Sequence, residues 1–246
     1  VFREEKGVEI KVPFPRLPYA QAMRDYGTDK PDTRFGLLLH DITDLGRRTT
    51  FQVFLSAAEH GVVKGITATG CGGYSRKEVD ALTTFVKGSG AKGLVSLKVA
   101  EGALDGSVAK FIPPDVQRDI ISRLEARPGD LLLFVADTEA MANKCLALLR
   151  LHIADRLKIR QDGTYNLLWV VDFPLFEGDP DGPGGVAASH HAFTSPRPEH
   201  VDRLEAEPLK VLALAYDVVL NGYELGGGSI RIHDSALQQR VFSVLG

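Results

Sequence analysis

The sequence predicts an α+β fold with an antiparallel sheet, and three observations carry this prediction. The segment from Tyr165 to Glu177 is almost continuously apolar, which is typical of a central strand covered on both faces. The dipeptide Asn221-Gly222 lies between two strand-like segments, and Asn-Gly is the strongest short signal for a two-residue hairpin turn. Strand-like and helical segments alternate between residues 36 and 158.

Composition and predicted secondary structure divide the chain into three regions. Residues 1–35 contain an extended, proline-punctuated segment and then a short helix that ends near Gly27. Residues 36–158 predict a self-contained α+β domain, in which Ser75 and Glu78 form a helix-starting capping box. Residues 159–246 predict a long strand, a flexible loop, a short helix, a hairpin and a final amphipathic helix capped by Asp234 or Ser235.

Composition sets broad limits on function. The 246 residues are 44% hydrophobic and 25% charged, with a formal net charge of −3, so no bulk basic excess indicates nucleic-acid or membrane binding. No apolar run approaches the roughly 20 residues that span a membrane. Cys71 and Cys145 have neither a C-x-x-C nor a zinc spacing, and we interpret them as buried free thiols in a reducing compartment.

The predicted hairpin places two carboxylates on one face. A turn at Asn221-Gly222 pairs Val219 with Glu224 and Asp217 with Gly226, so Asp217 and Glu224 become diagonal neighbours. Such a pair is stabilised by a cation, and oxygen ligands of this kind suit Mg²⁺ with bound phosphate. Two solvated carboxylates on an exposed face are equally consistent with the spacing.

Arg231 lies seven residues after Glu224, and strict alternation would put it on the opposite face. The glycines Gly226, Gly227 and Gly228 can break the alternation with a bulge, and they leave bare backbone on which a flat ligand could lie. Arg231 would then act as a bidentate clamp on an acidic ligand. On residue type alone, an arginine in a surface ion pair is the commoner arrangement.

His190 and His191 are adjacent, so on a strand they would point to opposite sides and at most one would face a given site. One of them could donate a hydrogen bond to an acidic substrate, or could be an ordinary loop residue. A histidine pair without a third ligand is poor evidence for zinc. The GGGS segment also lacks the lysine and the strand-loop-helix context of a phosphate-binding P-loop.

Four segments, in this order and spacing, resemble those of bacterial-type aspartyl-tRNA synthetases. These segments are GTDKPDTR (27–34), LWVVDFPLFE (168–177), HHAFTSPRPE (190–199) and AYDVVLNGYELGGGSIRIH (215–233). The resemblance covers essentially the whole chain. It implies an antiparallel class II catalytic sheet formed by residues 1–35 and 159–246, with residues 36–158 as the inserted α+β domain of the bacterial type.

The resemblance also implies a reaction and its participants. A cytoplasmic homodimer would use ATP and Mg²⁺ to activate L-aspartate as aspartyl-adenylate, and would transfer the aspartate either to tRNA(Asp) alone or to both tRNA(Asp) and tRNA(Asn). The residues implied to bind aspartate are His190, His191, Ser229 and Arg231; those implied to bind ATP are Glu224, Gly226, Gly227 and Gly228; those implied to hold the metal are Asp217 and Glu224. The resemblance assigns no catalytic side chain in this chain.

The sequence also departs from the family pattern. The FREE segment at Phe2 to Glu5 only partly matches the family's arginine-bearing ATP motif, and Ala192 stands where many relatives have proline. The anticodon-binding domain, the dimer motif and the final arginine motif have no counterpart, so we expect a part of a longer enzyme that is inactive by itself. The alternative is a non-catalytic paralogue that binds tRNA or a protein, and the retained site residues favour the enzyme over it. A third candidate, an asparagine ligase of the same class, is disfavoured by the bacterial-type insertion.

Overall fold

The computed structural model describes residues 2–181 and 184–246, and the chain forms two compact units. The first unit consists of Val1–Ala22, Asp29–Arg34 and Gly163–Gly246, and the second of Met23–Thr28 and Phe35–Asp162. Each unit has its own sheet and its own hydrophobic core.

The strands are β1 (Arg16–Pro18), β2 (His40–Asp41), β3 (Val62–Ala68), β4 (Val95–Ala100), β5 (Ala103–Asp105), β6 (Leu131–Asp137), β7 (Leu167–Val171), β8 (Phe176–Gly178), β9 (Val186–Ala188), β10 (Ala215–Leu220) and β11 (Tyr223–Ser229). The helices are α1 (Phe2–Lys6), α2 (Tyr19–Tyr26), α3 (Thr43–Gly46), α4 (Gln52–His60), α5 (Arg76–Gly88), α6 (Pro114–Arg123), α7 (Glu139–Leu157) and α8 (Ser235–Leu245). The short helix predicted between the flexible loop and the hairpin is a 3₁₀ helix over Pro198–Arg203.

The first unit is built on a four-stranded sheet in the order β1-β7-β10-β11. Strand β10 is antiparallel to both β7 and β11, which confirms the predicted antiparallel sheet, although β1 joins β7 in parallel. Strand β7 has a neighbour on each side, as its apolar sequence predicts. The hydrophobic core of the first unit includes Leu168, Val170, Phe173, Val211, Val219 and Val241.

Strand β7 is shorter than predicted. The expected strand from Tyr165 to Glu177 is interrupted after Val171, where Asp172 adopts a left-handed φ of 61° and Pro174 follows. The left-handed φ of Asp172 breaks the extended backbone, and the chain beyond it pairs with a different segment, through a β-bridge between Pro174 and Leu212. The chain resumes as β8, which pairs with β9 across the segment predicted to be only a loop; residues 182 and 183 of that segment lie outside the described residues.

The second unit has a five-stranded antiparallel sheet in the order β2-β3-β6-β4-β5. Strand β6 is apolar up to its last residue, Asp137, because alternate residues enter different cores: Leu131 and Leu133 pack in one, Leu132 and Phe134 in the other. The segment LLLHDITDL over residues 37–45 is strand-like in sequence, but most of it does not form a strand. Only β2 forms, because the Asp41 carboxylate accepts a hydrogen bond from the Thr43 backbone N–H (2.8 Å) and the chain turns into α3.

In the second unit, one helix begins at a capping signal in the sequence and another begins without one. Helix α5 begins at the predicted capping box, in which both hydrogen bonds between Ser75 and Glu78 are present. Helix α4 escaped prediction because its first turn follows Phe51, which supplies no side-chain cap. Its position depends instead on tertiary packing of Phe54 and Ala58, both of which are buried.

Cys71 and Cys145 are free and buried, as the sequence analysis predicts. Across residues 2–181 and 184–246, no helix is long and apolar enough to cross a membrane.

Candidate functional site

The β10–β11 hairpin carries the candidate site, and its turn is held to the segment before β7. Asn221 and Gly222 have φ values of 53° and 89°, as a two-residue turn of the predicted kind requires. The Asn221 side-chain oxygen accepts from the Asn166 backbone N–H (2.9 Å), and its amide donates to the Thr164 carbonyl (2.8 Å). Both polar atoms of the Asn221 side chain therefore hold the turn to the segment before β7.

The hairpin contains the register break that the sequence predicts, but at an earlier position. Val219 faces Glu224, as expected, whereas the next pair is Val218 with Gly226. Leu225 is therefore the extra residue, and the break precedes the glycines instead of lying within them. Asp217 consequently faces Gly227, and the predicted pairing of Asp217 with Gly226 is wrong.

This bulge resets the alternation of side chains. Glu224 and Gly227 lie opposite Val219 and Asp217, which share one face of β10, and Ser229 lies opposite Ala215 on the same face. Arg231 is two residues beyond Ser229, and its Nη1 donates to the Ser229 hydroxyl (2.6 Å). The odd spacing from Glu224 to Arg231 thus becomes compatible with a shared face.

Two of the three glycines make room for side chains of the neighbouring strand. A Cβ at Gly227 would lie 1.9 Å from the Asp217 carboxylate oxygen, and one at Gly228 would lie 3.0 Å from the Tyr216 hydroxyl. A Cβ at Gly226 would meet nothing within 4 Å. Steric crowding from β10 therefore explains why residues 227 and 228 are glycines, which the sequence does not reveal. The position of Gly226 is not crowded in this way.

Asp217 is held at an electrostatic cost. Its side chain is nearly buried, at 9% exposure, and burial first and the charge of Glu224 second raise its pKa above the ordinary value. His190 and Lys30 act in the opposite direction. Within the described parts of the chain, no three His, Cys, Asp or Glu side chains group closely enough to bind a metal by themselves. An ion held by this carboxylate pair would need further ligands.

His191 lies against Arg231 and is held as a neutral ring. Its Nδ1 accepts from the Phe193 backbone N–H (3.2 Å), which leaves the ring proton on Nε2. Arg231 Nη1 approaches the same Nδ1 at 3.4 Å, and Thr194 Oγ1 at 3.2 Å. Partial burial first, then the charges of Arg231 and His190, lower the His191 pKa. His191 can therefore offer an Nε2–H donor at neutral pH.

His190 packs edge-on against Phe173, with ring centroids 5.0 Å apart. Neither histidine is in a strand, so the prediction that they point to opposite sides does not apply. The charge of His190 acts on the pKa of both Asp217 and His191, so both histidines belong to the surroundings of the site.

Lys30 is a site residue that the sequence analysis missed. Its ammonium lies 3.8 Å from Glu224 Oε2. Asp29, its neighbour, raises the pKa of Asp217 by its charge. The available signal was the segment GTDKPDTR, which supported the family resemblance without any role for its own residues.

The comparison with known families covers the whole chain. The family model of class II tRNA synthetases (D, K and N) matches residues 1–246, so the chain belongs to this family. Similar curated proteins are the aspartate–tRNA(Asp/Asn) ligases of Symbiobacterium thermophilum and Bacillus cereus, both 50% identical to the chain, and the aspartate–tRNA ligase of Macrococcus caseolyticus, 48% identical. All of the chain is covered in each comparison, and it spans about two-fifths of each relative, 43%, 42% and 42% respectively.

Proposed function

We propose that this chain is the part of an aspartate–tRNA ligase that holds aspartate and ATP. The reaction is the ATP-dependent formation of aspartyl-adenylate, followed by transfer of aspartate to tRNA. The observation that carries the proposal is the bulge at Leu225, which makes the spacing of Glu224 and Arg231 compatible with one pocket. The names of the relatives support the same reaction.

The aspartate site is proposed to consist of Arg231, His191, Ser229 and His190. Arg231 would bind the side-chain carboxylate of the substrate, and its bond to Ser229 would orient the guanidinium. His191 would donate through Nε2–H to a substrate oxygen. An amide cannot satisfy a fixed guanidinium in the same way, so this set would prefer aspartate to asparagine.

Mg²⁺ with ATP fits the second half of the site. Asp217 and Glu224 supply two hard oxygen ligands, and the raised pKa of Asp217 means that a cation beside it would relieve charge repulsion. When bound, the ion would neutralise phosphate charge. The floor of the nucleotide pocket would consist of Gly226, Gly227 and Gly228. Of these three, Gly226 has open space above it.

The same proposal covers the domains, the tRNA acceptors and the oligomeric state of the whole protein. Residues 1–35 and 159–246 would belong to the catalytic domain, and residues 36–158 to the inserted domain of the bacterial type. We propose tRNA(Asp) as acceptor and tRNA(Asn) as a second acceptor, because the relatives are named for one or for both. A cytoplasmic homodimer is expected from the family.

The test is aspartate-dependent exchange of pyrophosphate into ATP by the intact protein. Arg231→Gln should raise the KM for aspartate on the order of 100-fold, because a charged hydrogen-bonded partner of the carboxylate is lost. Arg240→Gln is the matched control, since Arg240 pairs with Glu205 instead. Absence of exchange in the unaltered intact protein, with tRNA still bound, would instead favour the non-catalytic binding module.

A further inference from the structure

The loop Asp29–Arg34 is anchored beneath the hairpin turn. Pro31 and Asp32 are both buried. The Asp32 carboxylate accepts from the Arg34 backbone N–H (3.1 Å) and from its guanidinium (3.0 and 2.7 Å). A Cβ at Gly222 would lie 3.3 Å from the Asp32 Cβ, so the loop packs closely against the turn.

This anchoring sets the position of Lys30. Proline fixes its own backbone angle, so buried Pro31 restricts the chain between Asp32 and Lys30. Lys30 therefore emerges beside Glu224, with its Nζ 3.8 Å from Oε2. The lysine is placed by a rigid support, in the way that binding side chains usually are.

The contact between Lys30 and Glu224 has little structural value. The two side chains are 50% and 42% exposed, and ion pairs at such exposure contribute little to stability. At 3.8 Å the pair is also longer than a charge-assisted hydrogen bond. The ion pair with Glu224 is thus only a weak restraint on the ammonium.

We propose that Lys30 binds the polyphosphate of ATP, exchanging its contact with Glu224 for a phosphate oxygen when the nucleotide enters. This inference rests on the proposed function, because it assumes that Glu224 faces the nucleotide. The chemistry follows from charge: Asp217 and Glu224 repel phosphate unless a cation intervenes, whereas an ammonium attracts it directly. Lys30 would add its positive charge to that of an ion held by Asp217 and Glu224, and both would neutralise phosphate charge.

The experiment is calorimetric titration of the intact protein with Mg-ATP and, separately, with AMP, in the absence of aspartate. Lys30→Met should weaken Mg-ATP binding about tenfold, the equivalent of one charged hydrogen bond, and should leave AMP affinity unchanged. Lys30→Arg should restore most of the ATP affinity, because it keeps the charge. Lys210→Met is the matched control, since Lys210 pairs with Glu207 elsewhere in the same unit.

Equal weakening of ATP and AMP, or unchanged ATP binding, would overturn the role of Lys30. So would a Lys30→Arg variant as weak as Lys30→Met. The titration needs no adenylate formation, so it decides the role of Lys30 even if pyrophosphate exchange is absent and the proposed ligase activity fails. An unaltered protein that binds no Mg-ATP would overturn both.

Discussion

Gly227 and Asp217 form a matched pair of residues across the hairpin. Gly227→Ala would put a Cβ 1.9 Å from the Asp217 carboxylate oxygen and would force that carboxylate away. Because small displacements of site groups are costly, we expect exchange activity to fall about 100-fold. The measurement is the rate of pyrophosphate exchange as a function of Mg²⁺ concentration.

Gly226→Ala provides the steric control for that substitution. Its Cβ would meet no atom within 4 Å, so the unfolding temperature of this variant should not fall. If Gly227→Ala exchanged pyrophosphate as fast as the unaltered protein, the close packing of Asp217 on Gly227 would not be needed for activity.

In the proposed function, Asp217 illustrates a conflict between stability and ligand binding. Its folded-state pKa is raised above the ordinary 3.8, mainly by burial, so the charged form destabilises the folded protein at neutral pH. Asp217→Asn should therefore raise the unfolding temperature in the absence of metal. It should also weaken the Mg²⁺ dependence of exchange about 10- to 100-fold, as the loss of a metal-site group usually does.

The stability difference between Asp217→Asn and the unaltered protein should depend on pH. The destabilisation is fully present above the raised pKa and disappears as pH falls below 3.8, where the carboxyl is neutral in both folded and unfolded states. The difference in unfolding temperature between Asp217→Asn and the unaltered protein should thus shrink in acid. A variant that is less stable at pH 7 would contradict the argument.

At the scale of the element, the β-bulge controls which face each residue of β11 occupies. Deletion of Leu225, which is exposed, would leave Glu224 opposite Val219 and Gly227 opposite Asp217 in a regular ladder. We therefore expect this variant to keep pyrophosphate exchange within about tenfold, because the shared face survives.

An alanine inserted between Gly228 and Ser229 is the opposing variant. It would turn Ser229 and Arg231 to the other face, so aspartate-dependent exchange should be lost. Both variants should be compared at equal fractions of folded protein, judged by circular dichroism. If deletion and insertion were equally damaging, the local twist of the bulge would matter more than its effect on register.

At the scale of the whole molecule, the second unit has the properties of an independent domain. Two hydrophobic clusters cover the two faces of its sheet. Arg150 is buried, lies 4.0 Å from the Phe35 ring centroid and 4.9 Å from that of Tyr26, and donates to the Phe35 carbonyl (2.9 Å). These contacts fix the beginning of the unit against its longest helix.

We expect a polypeptide of residues 23–162 to unfold in one cooperative transition, since a domain with its own core can fold alone. Arg150→Met in that polypeptide should lower the free energy of unfolding by about 2–3 kcal/mol, because hydrogen bonds from a charged group are lost. Arg118→Met, on an exposed position of α6, is the control. A broad transition without near-ultraviolet dichroism would contradict the prediction.

The sequence by itself determined the features whose chemistry is local. Asn221-Gly222 specified the turn, Ser75 and Glu78 specified a helix start, and the odd spacing of Glu224 and Arg231 together with the three glycines indicated a register break. Each depends on residues near one another in the chain. Recognition of the family from its four motifs likewise needed only the order of residues, and the family match confirms it.

Tertiary structure alone decided the rest. The bulge lies at Leu225, so Asp217 occupies the space over Gly227 and Tyr216 the space beside Gly228, and neither neighbour can be read from the sequence of β11. Helix α4 is held by packing without a capping signal, and Lys30 reaches Glu224 only because buried Asp32 anchors its loop to the hairpin turn. Contacts between residues far apart in sequence set these positions, and spacing along the chain carries no record of them.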